Sequence, residues 1–87
     1  MTLPPTAPVA DAVLEIVKDV SRRPIQPTLA SDLVADLAFD SLQVMETIAE
    51  LEDRFQISIP PEDVPRARTV AQVVARVESL IDARPPS

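Results

Sequence analysis

The sequence predicts an all-α protein: a small antiparallel four-helix bundle of three long helices and one short one, with a long loop between the first and second. Three observations predict it. Apolar residues recur at helical spacing in three separate stretches, prolines cluster between and beside those stretches, and strand-like alternation is nearly absent. At 87 residues the chain has room for one domain, 1–87, with a helical core of about 8–82 and flexible tails at 1–7 and 83–87.

The first helix is expected over 8–22, because Val9, Ala12, Val13, Ile16, Val17 and Val20 fall on one stripe. Arg22 and Arg23 then sit in its last turn, where cations suit the macrodipole. The connection 23–40 is too long to be structureless in a compact domain. Leu29, Leu33, Val34 and Leu37 are expected to pin it to the core, with a short helical turn opened by Ser31. The second helix begins at Asp40 or Ser41, both good N-caps, and runs to about Gln56. Val44, Ile48, Leu51 and Phe55 form its buried stripe. Leu42, Met45 and Ala49 make a second apolar line, with Glu46, Glu50 and Asp53 on the far side. After it, ISIPPEDVPRA is extended and then briefly helical: Pro61 suits a first turn and Pro65 limits the length. The final helix opens with a capping box, Thr69 with Gln72 three residues on, and buries Val70, Val73, Val74, Val77, Leu80 and Ile81.

Composition excludes several functions. With no Cys and no His the chain lacks thiolate and imidazole metal ligands and the commonest general base, so a stand-alone catalyst is not expected and no metal site is evident. Nothing approaches a membrane span, and the N-terminus lacks the basic and apolar regions of a signal peptide, so a cytoplasmic location is expected. Fourteen acids against eight bases argue against a nucleic-acid partner. Nine of those acids lie between Asp32 and Asp63 with Arg54 as the only base there, a net −8, while the remainder, seven bases and five acids, is +2. Such a lopsided charge steers cationic partners.

The run DLAFDSL places Ser41 behind Asp40 at the start of the second helix. A serine there ordinarily caps backbone amides. Here Asp40 can do that, leaving the Ser41 hydroxyl on a helix N-terminus that favours phosphate. Neither a histidine nor a G-x-S-x-G elbow is present to make Ser41 a hydrolytic nucleophile. It reads as an acceptor of a covalent group.

The stretch DLAFDSLQVMETIAELEDRFQISIPPEDV resembles the central signature of acyl carrier proteins, a similarity that spans about residues 9–82 and is densest from Leu33 to Val64. Its MET, LEDRF and SIP wording is most similar to discrete carriers of type II polyketide and specialised lipid pathways. The resemblance implies that Ser41, flanked by Asp40 and Leu42, receives 4′-phosphopantetheine from coenzyme A through a separate phosphopantetheinyl transferase. Acyl intermediates would ride as thioesters on the arm's thiol. It further implies that Leu42, Met45, Glu46, Ala49, Glu50 and Asp53 meet acyl-transferring and condensing enzymes through basic docking patches, with the carrier a monomer and not itself an enzyme. For the individual acids a solvated helix face is the competing reading, and for the apolar line a cover for the short helix.

Three positions depart from the family pattern. Ala38 stands where glycine is common, which bears on backbone freedom or on close approach of the transferase. Gln43 replaces a common acid and Ala49 a bulkier apolar residue, which favours a specialised pathway over housekeeping fatty-acid synthesis. Two other functions fit the same pattern: an aminoacyl or peptidyl carrier, and an unmodified helical interaction module in which Ser41 only caps.

Overall fold

A computed structural model describes residues 7–83, and these form α1 (Ala7–Val20), α2 (Ser41–Phe55), a 3-10 helix (Pro61–Arg66) and α3 (Val70–Asp82). The all-α bundle is as the sequence predicts. Ala7 already belongs to α1 and Ala83 is the C-cap of α3, while the rest of the two expected tails lies outside the described residues. The one strand-like feature among the described residues is an isolated antiparallel bridge between Asp32 and Thr69.

α1 packs on both α2 and α3. Its buried face is Val9, Ala12, Val13, Ile16 and Val17, and it meets Leu51 of α2 and Val70, Val73, Val74 and Val77 of α3 in one aliphatic cluster. Each Val, Leu or Ile side chain among them contributes about 1.5–3 kcal/mol when removed from water, which is how a core whose only aromatic residues are Phe39 and Phe55 holds together. α1 ends at Val20, the last residue of its apolar stripe and two residues short of the expected 22. The Ser21 hydroxyl donates to the Arg23 carbonyl (2.7 Å) and accepts from the Arg23 amide (3.2 Å), a local turn that competes with a further helical turn. Arg22 and Arg23 are thus outside α1, and Lys18 is the cation of its last turn. Arg23 instead reaches across to donate to the Leu37 carbonyl (3.3 Å).

The connection from α1 to α2 is anchored by backbone bonds to the start of α3. The Leu33 amide donates to the Arg68 carbonyl (2.9 Å), Val70 to Ser31 (2.9 Å) and Ala71 to Leu29 (2.8 Å). Amides at the N-terminus of α3 are therefore satisfied by the loop, and the Thr69–Gln72 capping box forms as expected. Only Leu33 and Leu37 of the four expected anchors are buried; Leu29 and Val34 are exposed, at 46% and 58%. The helical turn is opened by Asp32 rather than Ser31: the Val34 and Ala35 amides donate to Asp32 Oδ1 (2.9 and 2.8 Å), and the Asp32 amide donates to Asp36 Oδ2 (2.7 Å). That geometry orients Val34 outward.

The short helix is of 3-10 type and contains Pro65 within its six residues. A proline offers no amide to continue the ladder, so Pro65 keeps the helix short from inside. Leu80 and Ile81, expected in the core, are half-buried on its margin.

Candidate functional site

The site is built around the first turn of α2. Asp40, in extended backbone conformation, is the N-cap: its Oδ1 accepts from the Gln43 amide (2.8 Å), and Gln43 Oε1 accepts from the Asp40 amide (3.2 Å). This reciprocal capping box was not anticipated; the D-S-L-Q spacing, an aspartate with glutamine three residues on, carries the signal. Because Asp40 does the capping, Ser41 is the first helical residue, exposed, and its hydroxyl takes no part in a hydrogen bond within the described residues. The Ser41 and Leu42 amides likewise have no intrachain acceptor and lie at the positive end of the helix dipole.

Asp40 and Ser41 are held in place by the turn before them. The Ala38 amide donates to the Val34 carbonyl (3.1 Å) and the Phe39 amide to Leu33 (2.9 Å), with Phe39 buried in the core. Closing this turn puts Ala38 in the left-handed region, φ 58°. A Cβ is disfavoured there, so this is the conformation for which glycine at that position is suited. The backbone shape is present without the glycine. Gln56, the C-cap of α2, is the other left-handed residue, φ 53°, as it must be something other than glycine in a chain that has none.

Beside Ser41 lies an open groove of about 530 Å³ lined mainly by Leu33, Val34, Phe39, Val44, Met45, Val64 and Pro65, with Arg68 at its edge. Its size falls in the range of ligand sites, roughly 300–1,000 Å³. Deeper in, between α2, α3 and the 3-10 helix, a small, partly open apolar cavity of about 40 Å³ is lined by Val44, Ile48, Leu51, Ile59, Val64, Val73 and Val77 among others. Three polar residues complete its wall, and each is satisfied: the Thr47 hydroxyl donates to the Gln43 carbonyl (2.8 Å), and Asp63 is paired with Arg76.

This cavity corrects the expected stripe of α2. The buried line runs Gln43, Thr47, Leu51, while Val44, Ile48 and Phe55 are half-buried. Val44 and Ile48 face the cavity, whose far wall, the 3-10 helix, closes over them only in part. Gln43 and Thr47 can be inside because the Gln43 Oε1 accepts from the N-cap amide of Asp40 and the Thr47 hydroxyl donates to the Gln43 carbonyl.

The outer face of α2 carries Leu42 and Met45, 58% and 61% exposed, with Glu46, Ala49, Glu50 and Asp53 also exposed. Glu46 has Arg22 at 4.0 Å, a loose surface pair. Of the other acids of the −8 segment, all but the exposed Glu62 are used internally. Asp32 and Asp36 hold the turn, Asp40 caps α2, Glu52 Oε2 accepts from the Ile59 amide (2.8 Å), and Asp63 pairs with Arg76. The Ala35 amide, helped by Val34 and by Arg68 at 3.7 Å, holds the Asp32 carboxyl below its usual range despite some desolvation. Among the described residues no three acids converge as a metal site, and no helix is long and apolar enough to cross a membrane.

Comparison with known proteins bears on this arrangement. Residues 11–77 match the family described as the phosphopantetheine attachment site. The chain is 43% identical over 74 residues to an acyl carrier protein of Exiguobacterium sp., an alignment covering 84% of this chain and 89% of that protein. It is 35% identical to the meromycolate extension acyl carrier protein of Mycobacterium tuberculosis, covering 84% of this chain and 64% of that longer protein. Among solved structures, an acyl carrier protein from M. tuberculosis superposes with a TM-score of 0.76 at 34% identity, covering 82% of this chain and 96% of that one. The acetyl actinorhodin acyl carrier protein of Streptomyces coelicolor gives 0.63 at 25% identity, covering 84% and 90%.

Proposed function

This chain belongs to the acyl carrier protein family, whose domain is a phosphopantetheine attachment site, and we propose that Ser41 is the residue that bears the arm. The observation that carries the reading is the division of labour at α2: Asp40 satisfies the helix end, so the adjacent hydroxyl stays exposed and unbonded at the positive end of a helix dipole. The residues fit the group. Ser41 Oγ is accessible to a transferase, the Ser41 and Leu42 amides can donate to a phosphodiester, and the open groove beside them can take the pantetheine chain. When attached, the arm supplies the thiol that a chain without cysteine lacks, and on it acyl groups are held as thioesters.

The chain itself presents cargo rather than transforming it, because no base or nucleophile pair accompanies Ser41. Leu42, Met45 and Ala49 form an apolar strip for docking, and Glu46, Glu50 and Asp53 meet cationic side chains on the transferase and on acyl-transferring and condensing enzymes, mainly raising association rates. The apolar cavity is the place for an acyl chain to withdraw from water. Similarity to meromycolate and actinorhodin carriers supports a specialised lipid or polyketide pathway, and acyl cargo over the aminoacyl alternative.

Incubation with coenzyme A, Mg²⁺ and a broad-specificity transferase, read by intact mass, tests the assignment. A single phosphopantetheine adduct is expected, absent from Ser41→Ala. Failure of the wild-type chain to gain it, or an adduct surviving in Ser41→Ala, would favour the unmodified interaction module.

A further inference from the structure

Asp63 is the one carboxylate buried among the described residues, and it belongs to the 3-10 helix. Its partner, Arg76, comes from the middle of α3, so the pair joins the short helix to the bundle. Little else does so at close range: tight backbone packing runs between α1 and α3 and between α1 and α2, and the 3-10 helix has no comparable contact with a long helix. Both residues also line the small apolar cavity, which the 3-10 helix partly covers, and both line a separate shallow depression between the 3-10 helix and α3, with Arg66, Gln72 and Ser79, that does not include Ser41. At about 40 Å³ the cavity has space for a few water centres at most, judged against roughly 10–15 Å³ for one. An acyl chain therefore enters only if that wall moves.

From this arrangement we infer that the Asp63–Arg76 pair determines which acyl chains enter the cavity, acting as a latch on the 3-10 helix that only a sufficiently long hydrocarbon chain opens. The inference rests on the carrier reading above. Opening the wall loosens a charge-assisted bond that favours the closed state, and this cost is the same for every cargo. Burial of the chain offsets it in proportion to length, each methylene raising occupancy about fourfold. The outcome is a length threshold.

The test uses the full chain armed at Ser41 from a series of acyl coenzyme A donors, butyryl to dodecanoyl, with cleavage of the thioester by hydroxylamine as the measure of shelter. In the wild type, protection should begin at a definite length. A charge-assisted bond of ordinary strength biases the closed state about tenfold, so Arg76→Gln and Asp63→Asn should each bring protection in one or two carbons earlier. Arg76→Lys should keep the wild-type threshold, a rescue that general loosening of the fold would not give. If folded Arg76→Gln and Asp63→Asn proteins both keep the wild-type threshold, the latch is overturned and the carrier reading stands. If the wild-type thioester shows no length dependence, the latch and the sheltering cavity fall together, while arming at Ser41 is read separately by mass.

Discussion

The loop from Leu29 to Phe39 and the outer face of α2 are made of the same materials, acids and aliphatic side chains, yet they use them differently. In the loop, Asp32 and Asp36 are bonded to backbone amides and Leu33 and Leu37 are buried, so charge and hydrophobicity both shape the platform that holds Asp40 and Ser41. On α2, Glu46, Glu50 and Asp53 point to solvent and Leu42 and Met45 are more than half exposed. Composition cannot separate the two. What distinguishes them is whether a backbone amide lies within reach of each carboxylate.

The sharpest way to probe this contrast is to truncate the same residue type in both regions. Leu33→Ala should cost about 3 kcal/mol of unfolding free energy in denaturant titration, whereas Leu42→Ala should change it by less than about 0.5 kcal/mol and weaken only partner docking. Equal losses would erase the distinction. Next in size, neutralising Glu46, Glu50 and Asp53 together as Gln, Gln and Asn should leave stability nearly unchanged. Association with a basic partner enzyme, followed by stopped flow at low salt, should slow by about tenfold and lose much of its salt dependence.

Ala38→Gly probes the loop alone. Relief of a left-handed Cβ should raise stability by about 0.5–1 kcal/mol, with the rate of arming unchanged because the backbone already has the required shape. A large gain in arming rate would mean instead that the methyl group obstructs the transferase. The smallest effect concerns pH. Asp32 has a folded pKa below its ordinary 3.8, so its contribution is fully present above that value and is lost as pH falls through the lower folded value. Asp32→Asn should therefore flatten the acid limb of the stability curve below about pH 3.8, while Glu50→Gln should leave that limb as it is.

Much of this architecture could be read from residue order. The stripe of α1, the start of α2 at Asp40 and Ser41, and the Thr69–Gln72 box each follow from short-range rules that the fold leaves intact. The inner line of α2 could not be read the same way, since hydropathy counts Gln43 and Thr47 as outward residues and cannot register that the Gln43 carboxamide oxygen and the Thr47 hydroxyl find partners in the helix and its cap. Leu29 and Val34 depart from their hydropathy for the opposite reason: both are apolar, but the Asp32 turn and the bonds to α3 dictate where the backbone points them. The Asp63–Arg76 pair joins residues thirteen apart across two helices, which no local pattern reveals.

At the centre of the account is the claim that Asp40 performs the structural task at the head of α2 and leaves Ser41 free for chemistry. Unfolding free energies of Asp40→Ala and Ser41→Ala, measured side by side on the unmodified protein, address it directly. Asp40→Ala should lose about 1 kcal/mol, the usual worth of an N-cap, and Ser41→Ala should lose almost nothing. The reverse ranking would show that the serine is the cap, and would remove the physical reason for reading its hydroxyl as a point of attachment.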